Sequence, residues 1–158
     1  PMSLLVMDLD NFKQINDTYG HPAGDLVLQT TARVLRESTR GSDLLVRTGG
    51  EEFSVLLHTH SPLGVLEVGE RIRGNLARTL VTYNGRQIRI TGSIGVAHRS
   101  VNEPCGVKEL VLRADQALYE AKRQGKNRVC VYRGESFAET DQVDGKPAKP
   151  GSRVVRIK

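Results

Sequence analysis

An uninterrupted apolar run near the start of the chain constrains the fold more than any other feature. Residues 4–7 read Leu-Leu-Val-Met, and Asp8, Leu9 and Asp10 follow directly. A strand that is apolar at every position has no side suited to water, so the run predicts a strand that is covered on both faces of a sheet. The acids after it predict that this strand carries carboxylates to one end of the sheet.

Periodic patterns along the rest of the chain predict three longer helices and four further strands. Apolar side chains recur at helical spacing, and short apolar runs between turn residues have the length of strands. The predicted helices cover residues 22–38, 65–80 and 107–121. The predicted strands cover residues 44–46, 53–57, 88–96 and 129–132, with a tight turn at Asn84-Gly85.

The order of these elements predicts the fold class. It is β-α-β-β-α-β followed by another helix and strand, which predicts an α+β fold with a ferredoxin-like, split antiparallel sheet to which the last two elements are added. In that topology the end of the first strand lies beside the tip of the hairpin over residues 44–57. The periodic pattern ends near residue 133. We therefore predict one domain over residues 1–133 and a linker or flexible tail over residues 134–158.

The composition excludes several classes of protein. Hydrophobic residues make up 38% of the 158 residues, too many for a disordered chain, and no apolar run is long enough to span a bilayer. No secretion signal opens the chain, so we expect a cytoplasmic location without membrane insertion by this segment, and leave open whether a longer parent protein is anchored. Cys105 and Cys130 match no metal or disulfide motif and are expected to be reduced, structural thiols.

The charge balance indicates the kind of partner. A formal net charge of +5 favours an anion, namely a nucleotide, a nucleic acid or an acidic lipid. Aromatic residues are only 4% of the chain and tryptophan is absent, which leaves few surfaces on which single-stranded bases could stack. We therefore expect no nucleic-acid partner.

Four acidic residues lie at two places that the predicted topology brings together. Asp8 and Asp10 follow the first strand, and Glu51 and Glu52 lie at the tip of the hairpin. Converging carboxylates repel one another unless a cation neutralises them, and hard oxygen ligands favour Mg²⁺. Two ions about 4 Å apart can clamp the attacking and leaving oxygens of nucleotidyl transfer. The alternative is that these acids are solvated and that the adjacent Gly-Gly pair only closes a turn.

Four separate sequence segments follow one another along the chain and together carry a family resemblance. They are DLDNFKQINDTYGH at residues 8–21, RTGGEEF at 47–53, ADQALYEAK at 114–122 and GKNR at 125–128. Together they resemble the GGDEF domain of bacterial diguanylate cyclases, in its GGEEF variant, and the resemblance covers about residues 3–133. It implies a fold similar to nucleotidyl cyclase and polymerase palm domains. It also implies the condensation of two GTP molecules into cyclic di-GMP with release of pyrophosphate.

The resemblance assigns the metal ligands and catalytic groups. It implies that Asp8, the backbone carbonyl of Leu9 and Glu51 hold Mg²⁺, with two ions in the site and Mn²⁺ as an alternative metal. Glu51, or solvent held by the metal, would help to deprotonate the ribose 3′-hydroxyl. Glu52 would assist at the second ion, and Lys13 would stabilise the charge that develops on transfer.

The resemblance also assigns the residues that bind the nucleoside. Asn16 and Asp25 match the pair that reads guanine, and an amide with a carboxylate suits the hydrogen-bonding edge of that base. Their alternative roles are a helix-end asparagine and an acid favoured by the dipole in the first turn of a helix. Gly49 and Gly50 lack a Cβ, which lets the backbone approach the ribose and the α-phosphate closely.

Phosphate binding is assigned to two further places. Phe12 and Lys13 lie where a short helix is expected to begin, so that backbone N–H groups can hold phosphate oxygens. Lys122 and Lys126, four residues apart at the end of the last helix, match phosphate contacts of the family. The alternative for these two lysines is that they only complement the negative end of that helix.

A second, inhibitory site for cyclic di-GMP is implied by an RxxD motif. Five residues separate the motif, which runs from Arg40 to Asp43, from Gly49, and this is the family spacing. Arg71 matches a further contact to the product. A planar guanidinium and a carboxylate suit the phosphates and the guanine of a cyclic dinucleotide. The alternative is a solvated salt bridge beside a strand.

Catalysis by this family implies a homodimer, because one apparent site per domain presents one GTP while the product contains two. We also expect the N-terminal helix that usually opens the family, and a regulatory region upstream of it, to be absent from this chain. Two alternatives to an active, product-inhibited cyclase are a catalytically silent module that binds GTP or cyclic di-GMP, and a nucleic-acid binder.

Overall fold

The computed structural model describes residues 1–58, 61–133 and 153–156. Its helices are α1 (Phe12–Tyr19), α2 (His21–Ser38), α3 (Pro62–Arg78) and α4 (Val107–Arg123). Its strands are β1 (Met2–Leu9), β2 (Leu44–Arg47), β3 (Glu52–His58), β4 (Leu80–Tyr83), β5 (Arg86–Arg89), β6 (Gly92–Arg99), β7 (Val129–Arg133) and β8 (Arg153–Arg156).

One six-stranded sheet has the order β2-β3-β1-β6-β7-β8, and β4 and β5 form a separate hairpin. β1 is antiparallel to both neighbours, which places Asp8 opposite Glu52 on β3 and Ser93 on β6. The predicted α+β fold with a split antiparallel sheet is confirmed. The exception is β7, which runs parallel to β6 because α4 carries the chain back across the sheet before β7 begins.

β1 is buried on both faces, as its continuous apolar sequence predicts. Leu5, Met7 and Leu9 belong to the core that includes residues of α2 and α3. Leu4 and Val6 pack instead with side chains of α4. Since each fully buried side chain of this size contributes about 1.5–3 kcal/mol, these contacts hold β1 firmly in the middle of the sheet. The acids at its end therefore project from a rigid element.

The structure corrects the predicted end of the second long helix. Leu80 was expected on the apolar face of that helix, but α3 ends at Arg78, and Leu80 lies in β4 with 42% of its surface exposed. Thr79 is already extended. Residues with β-branched side chains at 79, 81 and 82 favour a strand, and pairing with β5 determines the outcome.

The strand predicted over residues 88–96 is also wrong as a single element. Its first part pairs with β4 and its second part with β1, so two different partners divide it into β5 and β6. The predicted turn before it is confirmed, since Asn84 and Gly85 both have the positive φ that a tight hairpin turn of this type requires.

The predicted linker or tail falls largely outside the described residues. Within residues 134–158 the structure describes β8, which pairs with β7 and was not predicted. Cys105 and Cys130 are buried thiols, as expected. In the part of the chain that is described, no helix is both long enough and apolar enough to cross a membrane.

Candidate functional site

The carboxyl end of β1 brings together residues from three parts of the chain. The backbone N–H of Leu9 donates a hydrogen bond of 3.2 Å to the carbonyl oxygen of Glu51, which fixes the hairpin tip beside the strand end. The Asp8 carboxylate is 12% exposed, and the Nζ of Lys122 lies 3.1 Å from its Oδ2. Antiparallel pairing of β1 and β3 thus places the first and second predicted motifs side by side, and α4 adds a cation.

The electrostatics of this cluster favour a bound cation. Partial burial raises the pKa of the Glu51 carboxyl; Asp8 raises it further, Lys122 opposes this, and Glu52 adds a smaller increase. Carboxylates that disfavour one another's ionisation are stabilised by a hard cation. Among residues 1–58 and 61–133, no three His, Cys, Asp or Glu side chains are grouped as metal ligands. Asp8 and Glu51 are two carboxylates whose oxygens are hard ligands, and Mg²⁺ commonly takes one or two protein carboxylates, so the residue types of the predicted set are compatible with this ion.

The hairpin tip is held in shape by Arg47. Its Nε donates to the carbonyl of Gly49 at 3.1 Å and its Nη2 to the carbonyl of Gly50 at 2.7 Å. A Cβ on Gly49 would lie 2.7 Å from Oε2 of Glu52, whereas a Cβ on Gly50 would meet nothing within 4 Å. The tip is thus preorganised, with open space above Gly50. Sequence reasoning missed Arg47, although its place just before the glycine pair was the available signal.

The predicted base-reading residues lie where α1 packs against α2. A Cβ added to Gly24 would lie only 1.9 Å from Oδ1 of Asn16, so the Asn16 side chain rests directly on the α2 backbone. Asp25, the next residue of α2, lines a cleft of about 470 Å³ between α2 and the β2–β3 hairpin, with Leu28 and Phe53 among its walls. The two predicted residues therefore lie on two helices that pack against each other, Asn16 on α1 and Asp25 on α2.

The predicted phosphate-binding residues surround the same strand end. The side chain of Phe12 is buried in the core, so this residue offers only its backbone, at the first position of α1. The side chain of Lys13 is exposed. The Nζ of Lys126 donates to Oδ1 of Asn11 at 2.7 Å, and Lys122 contacts Asp8. Lys122, in the last turn of α4, and Lys126, in the turn after α4, therefore both extend toward the end of β1.

Asp10 does not join the acidic cluster, contrary to the interpretation that up to four carboxylates converge. Its carboxylate is buried, and it accepts hydrogen bonds from Thr91, Ser93 and the backbone N–H of Asn127. The polar residues at 91 and 93, in an otherwise apolar segment, were the only sequence signal for this role. The two acids that act on the Glu51 carboxyl are therefore Asp8 and Glu52, which both raise its pKa.

The RxxD residues form a tight turn after α2. The backbone N–H of Arg40 donates to Oδ2 of Asp43 at 2.8 Å, and the N–H of Asp43 donates to the carbonyl of Arg40 at 3.0 Å. Arg71, on α3, donates from Nε and Nη2 to the carbonyl of Ser38, at 3.0 and 2.8 Å. The third predicted member therefore lies next to the turn that carries the other two.

Comparison with known proteins identifies relatives of the chain. Residues 1–128 match the family model described as diguanylate cyclase, GGDEF domain. The sequence is 45% identical over 130 residues to diguanylate cyclase A of Treponema denticola, covering 82% of this chain and 35% of that protein. The chain spans about a third of the length of the curated relatives it matches.

Solved structures of similar domains match the fold. The GGDEF domain of DgcB from Caulobacter crescentus, in complex with c-di-GMP, is 34% identical with a TM-score of 0.77, and the match covers 82% of this chain and 77% of that one. A structure described as the active GGEEF domain of a diguanylate cyclase from Vibrio cholerae is 34% identical with a TM-score of 0.73, covering 84% and 83% of the two chains.

Proposed function

Because this chain belongs to the GGDEF family of diguanylate cyclase domains, we propose that it condenses two GTP molecules into cyclic di-GMP. The observation that carries the proposal is the meeting of Asp8, Glu51 and Lys122 at one end of β1. The similar structure from Vibrio cholerae is described as an active GGEEF domain. This chain has the same motif at residues 49–53, in which Glu51 supplies a carboxylate. GTP as substrate would place the reaction in the cytoplasm, with residues 1–133 as the catalytic domain.

The proposed reaction forms two phosphodiester bonds. In each, the 3′-hydroxyl oxygen of one GTP attacks the α-phosphorus of the other, the bond to the bridging oxygen breaks, and pyrophosphate leaves. Glu51 accepts the hydroxyl proton, while Lys122, Lys126 and Lys13 stabilise charge on the phosphates. Asp8, the Leu9 carbonyl and Glu51 would hold Mg²⁺, with Glu52 beside a second ion. When bound, the metal neutralises the crowded acids and polarises the phosphate.

Base recognition is assigned to Asn16 and Asp25. A carboxylate can accept from the N1–H and amino group of guanine, and an amide can both donate and accept. Backbone groups at Phe12, Gly49 and Gly50 complete the nucleotide contacts in this proposal. The open space over Gly50 and the cleft lined by Asp25 support it.

Replacing Gly24 by alanine tests the base site. The new Cβ would lie 1.9 Å from Oδ1 of Asn16, so the Asn16 side chain must move, although alanine suits a helix better than glycine by about 1 kcal/mol. We expect KM for GTP to rise about tenfold with a smaller change in kcat. Gly74→Ala is the matched control on α3, since its Cβ would meet only the end of the Arg78 side chain. Equal KM values in the two variants would contradict the placement of Asn16 at the base.

Turnover requires a homodimer in this proposal, since the domain offers one Asp8–Glu51 cluster within residues 1–58 and 61–133. Two domains must face each other so that each 3′-hydroxyl meets the other α-phosphate. Positioning of the two reactants then supplies much of the rate, and a tethered dimer raises their effective concentration.

The decisive experiment uses the full chain fused to a parallel coiled coil, with the unfused chain as control. Each is incubated with GTP and Mg²⁺, and the products are identified by mass spectrometry and a pyrophosphate assay. We expect two pyrophosphates for each cyclic di-GMP and a faster rate in the fused dimer. Tight GTP binding without pyrophosphate release from the dimer would instead identify a catalytically silent module.

Product inhibition at Arg40, Asp43 and Arg71 is part of the proposal. The Arg40→Ala/Asp43→Ala double variant is expected to raise the cyclic di-GMP concentration for half inhibition at least tenfold, because the charge-assisted contacts to the product are lost. Inhibition is measured relative to the uninhibited rate of each variant. Arg40→Ala alone keeps the Asp43 carboxylate that binds the turn, and Arg33→Ala removes an exposed arginine of α2 as control. Unchanged inhibition in both Arg40 variants would refute this site.

A further inference from the structure

Asp10 is a buried acid that the proposed reaction does not use. Only 6% of its surface is exposed. Its Oδ2 accepts from the Thr91 hydroxyl at 2.7 Å and from the backbone N–H of Asn127 at 3.0 Å, and its Oδ1 accepts from the Ser93 hydroxyl at 2.6 Å. Its own N–H donates to the carbonyl of Thr91 at 2.9 Å. Hydrogen bonds of both its backbone and its side chain thus fix Asp10 in place.

The segment that Asp10 holds is a turn of unusual backbone geometry. Residues 124–128, here called the α4–β7 turn, contain three successive residues with positive φ: Gly125 at 113°, Lys126 at 62° and Asn127 at 44°. Glycine adopts this region freely, whereas a lysine there is strained and persists only when other contacts impose it. The hydrogen bond from the Asn127 N–H to Asp10 is such a contact. A second is the 3.2 Å bond from Arg73 to the Asn127 side chain.

The turn determines where Lys126 points. From its left-handed backbone, Lys126 extends back to Asn11, the residue that follows Asp10, with 2.7 Å between Nζ and Oδ1. Asp10 and Asn11 thus hold the backbone and the side chain of the same turn, from two adjacent positions after β1. The Lys126 N–H also donates to the carbonyl of Ala121 at 3.0 Å, but within the described residues the Asn127 N–H has its hydrogen bond with Asp10, so loss of Asp10 loosens the backbone directly after Lys126.

We propose that Asp10 is a positioning residue, which locks the α4–β7 turn so that Lys126 faces the nucleotide phosphates, and that it is not a metal ligand. The proposal rests on the proposed function for the role of Lys126. A carboxylate offers about four acceptor directions, and three are occupied by donors: Ser93 in β6, Thr91 directly before β6, and Asn127 in the turn. Asp10 follows the proposed metal ligands Asp8 and Leu9 in the chain, yet in this proposal it acts on Lys126, through the turn that carries that lysine.

The kinetic test is a double-mutant cycle in the coiled-coil-fused full chain. Asp10→Ala is expected to raise KM for GTP about tenfold with at most a twofold change in kcat. In the Lys126→Met background the same change is expected to raise KM less than twofold, because the group it positions is already gone. Additive effects would overturn the proposal. Asp17→Ala, which removes an exposed acid of α1, is the control and is expected to leave KM unchanged.

Asp10→Asn separates positioning from metal binding and covers the case in which the alanine variant fails to fold. The amide oxygen can accept from Asn127 and Thr91 while its NH₂ donates to the Ser93 hydroxyl, so we expect KM within about threefold of the unmodified chain. The Mg²⁺ concentration for half-maximal rate at saturating GTP should not change. A shift in that concentration as large as the one caused by Asp8→Asn would identify Asp10 as a ligand and overturn the proposal.

Hydrogen exchange supplies a readout that does not depend on turnover. Measured by NMR without nucleotide, the Asn127 amide is expected to exchange at least tenfold faster in Asp10→Ala, while amides of the β1–β3 ladder keep their protection. Unchanged exchange at Asn127 would refute the lock whatever the activity. Faster exchange together with no turnover by the unmodified dimer would refute the proposed function instead, and leave the lock in place.

Discussion

Glu51→Gln is expected to lower the rate of cyclic di-GMP formation by about a thousandfold while leaving the fold intact. The amide has nearly the same shape as the carboxylate, and the contact from the Leu9 N–H is to the Glu51 backbone, so the hairpin tip keeps its place. What is lost is the negative charge and the ability to take a proton from the 3′-hydroxyl. Both losses act on the transition state, so kcat should fall with little change in KM.

Steady-state pyrophosphate release by the fused dimer measures this effect, and thermal unfolding checks the fold. Glu52→Gln is the matched control, since Glu52 lies on the same tip and its Oε2 lies over Gly49, only 2.7 Å from where a Cβ on that glycine would be. We expect it to reduce the rate about tenfold. Turnover by Glu51→Gln equal to that of the unmodified chain would remove Glu51 from the mechanism.

The raised pKa of Glu51 sets the direction in which removing its charge changes stability. Its folded-state pKa is raised, chiefly by burial and then by Asp8. The folded state therefore holds the Glu51 proton more tightly than the unfolded state, so stability falls as pH rises from the unfolded pKa to the folded pKa and stays at the lower level above it. The glutamine variant is free of that cost at neutral pH. We therefore expect Glu51→Gln to be no less stable than the unmodified chain at neutral pH, and thermal unfolding checks this.

The acids of the site could be predicted because strand pairing makes them neighbours. A fully apolar run such as residues 4–7 must be central, a hairpin follows from residues 44–57, and antiparallel pairing of the two puts Asp8 opposite Glu52. No partner further along the chain is needed for that inference. The same logic gave the α+β class, because element order alone separates it from other arrangements.

Contacts between distant segments could not be predicted from local patterns. Asp8 and Asp10 are alike in sequence, yet one meets Lys122 and the other meets Ser93 and Asn127. These partners lie 80 or more positions away, and only the packed structure decides between them. The division of residues 88–96 has the same origin, because alternating apolar residues suit either sheet and the pairing partner sets the break.

Gly95→Ala is expected to destabilise the domain by about 3 kcal/mol, the largest effect on stability that we predict. Gly95 lies on β6 opposite Val6, and α4 crosses it so closely that a Cβ would lie 2.2 Å from the carbonyl oxygen of Ala114 and 2.2 Å from the nitrogen of Leu118. Both atoms belong to helix backbone, so no side-chain rotation relieves the overlap. The whole of α4 must move away from the sheet.

Urea and thermal unfolding measure this cost, which corresponds to a Tm lower by roughly 10 °C for a domain of this size. Gly106→Ala is the control at the start of α4, where a Cβ meets nothing within 4 Å, and it should cost no more than about 1 kcal/mol. Equal stability of the two variants would contradict the close packing of α4 on β6. Because α4 carries Lys122 to Asp8, a displaced helix also separates that ion pair. Gly95→Ala should therefore raise KM for GTP even at temperatures at which the variant remains folded.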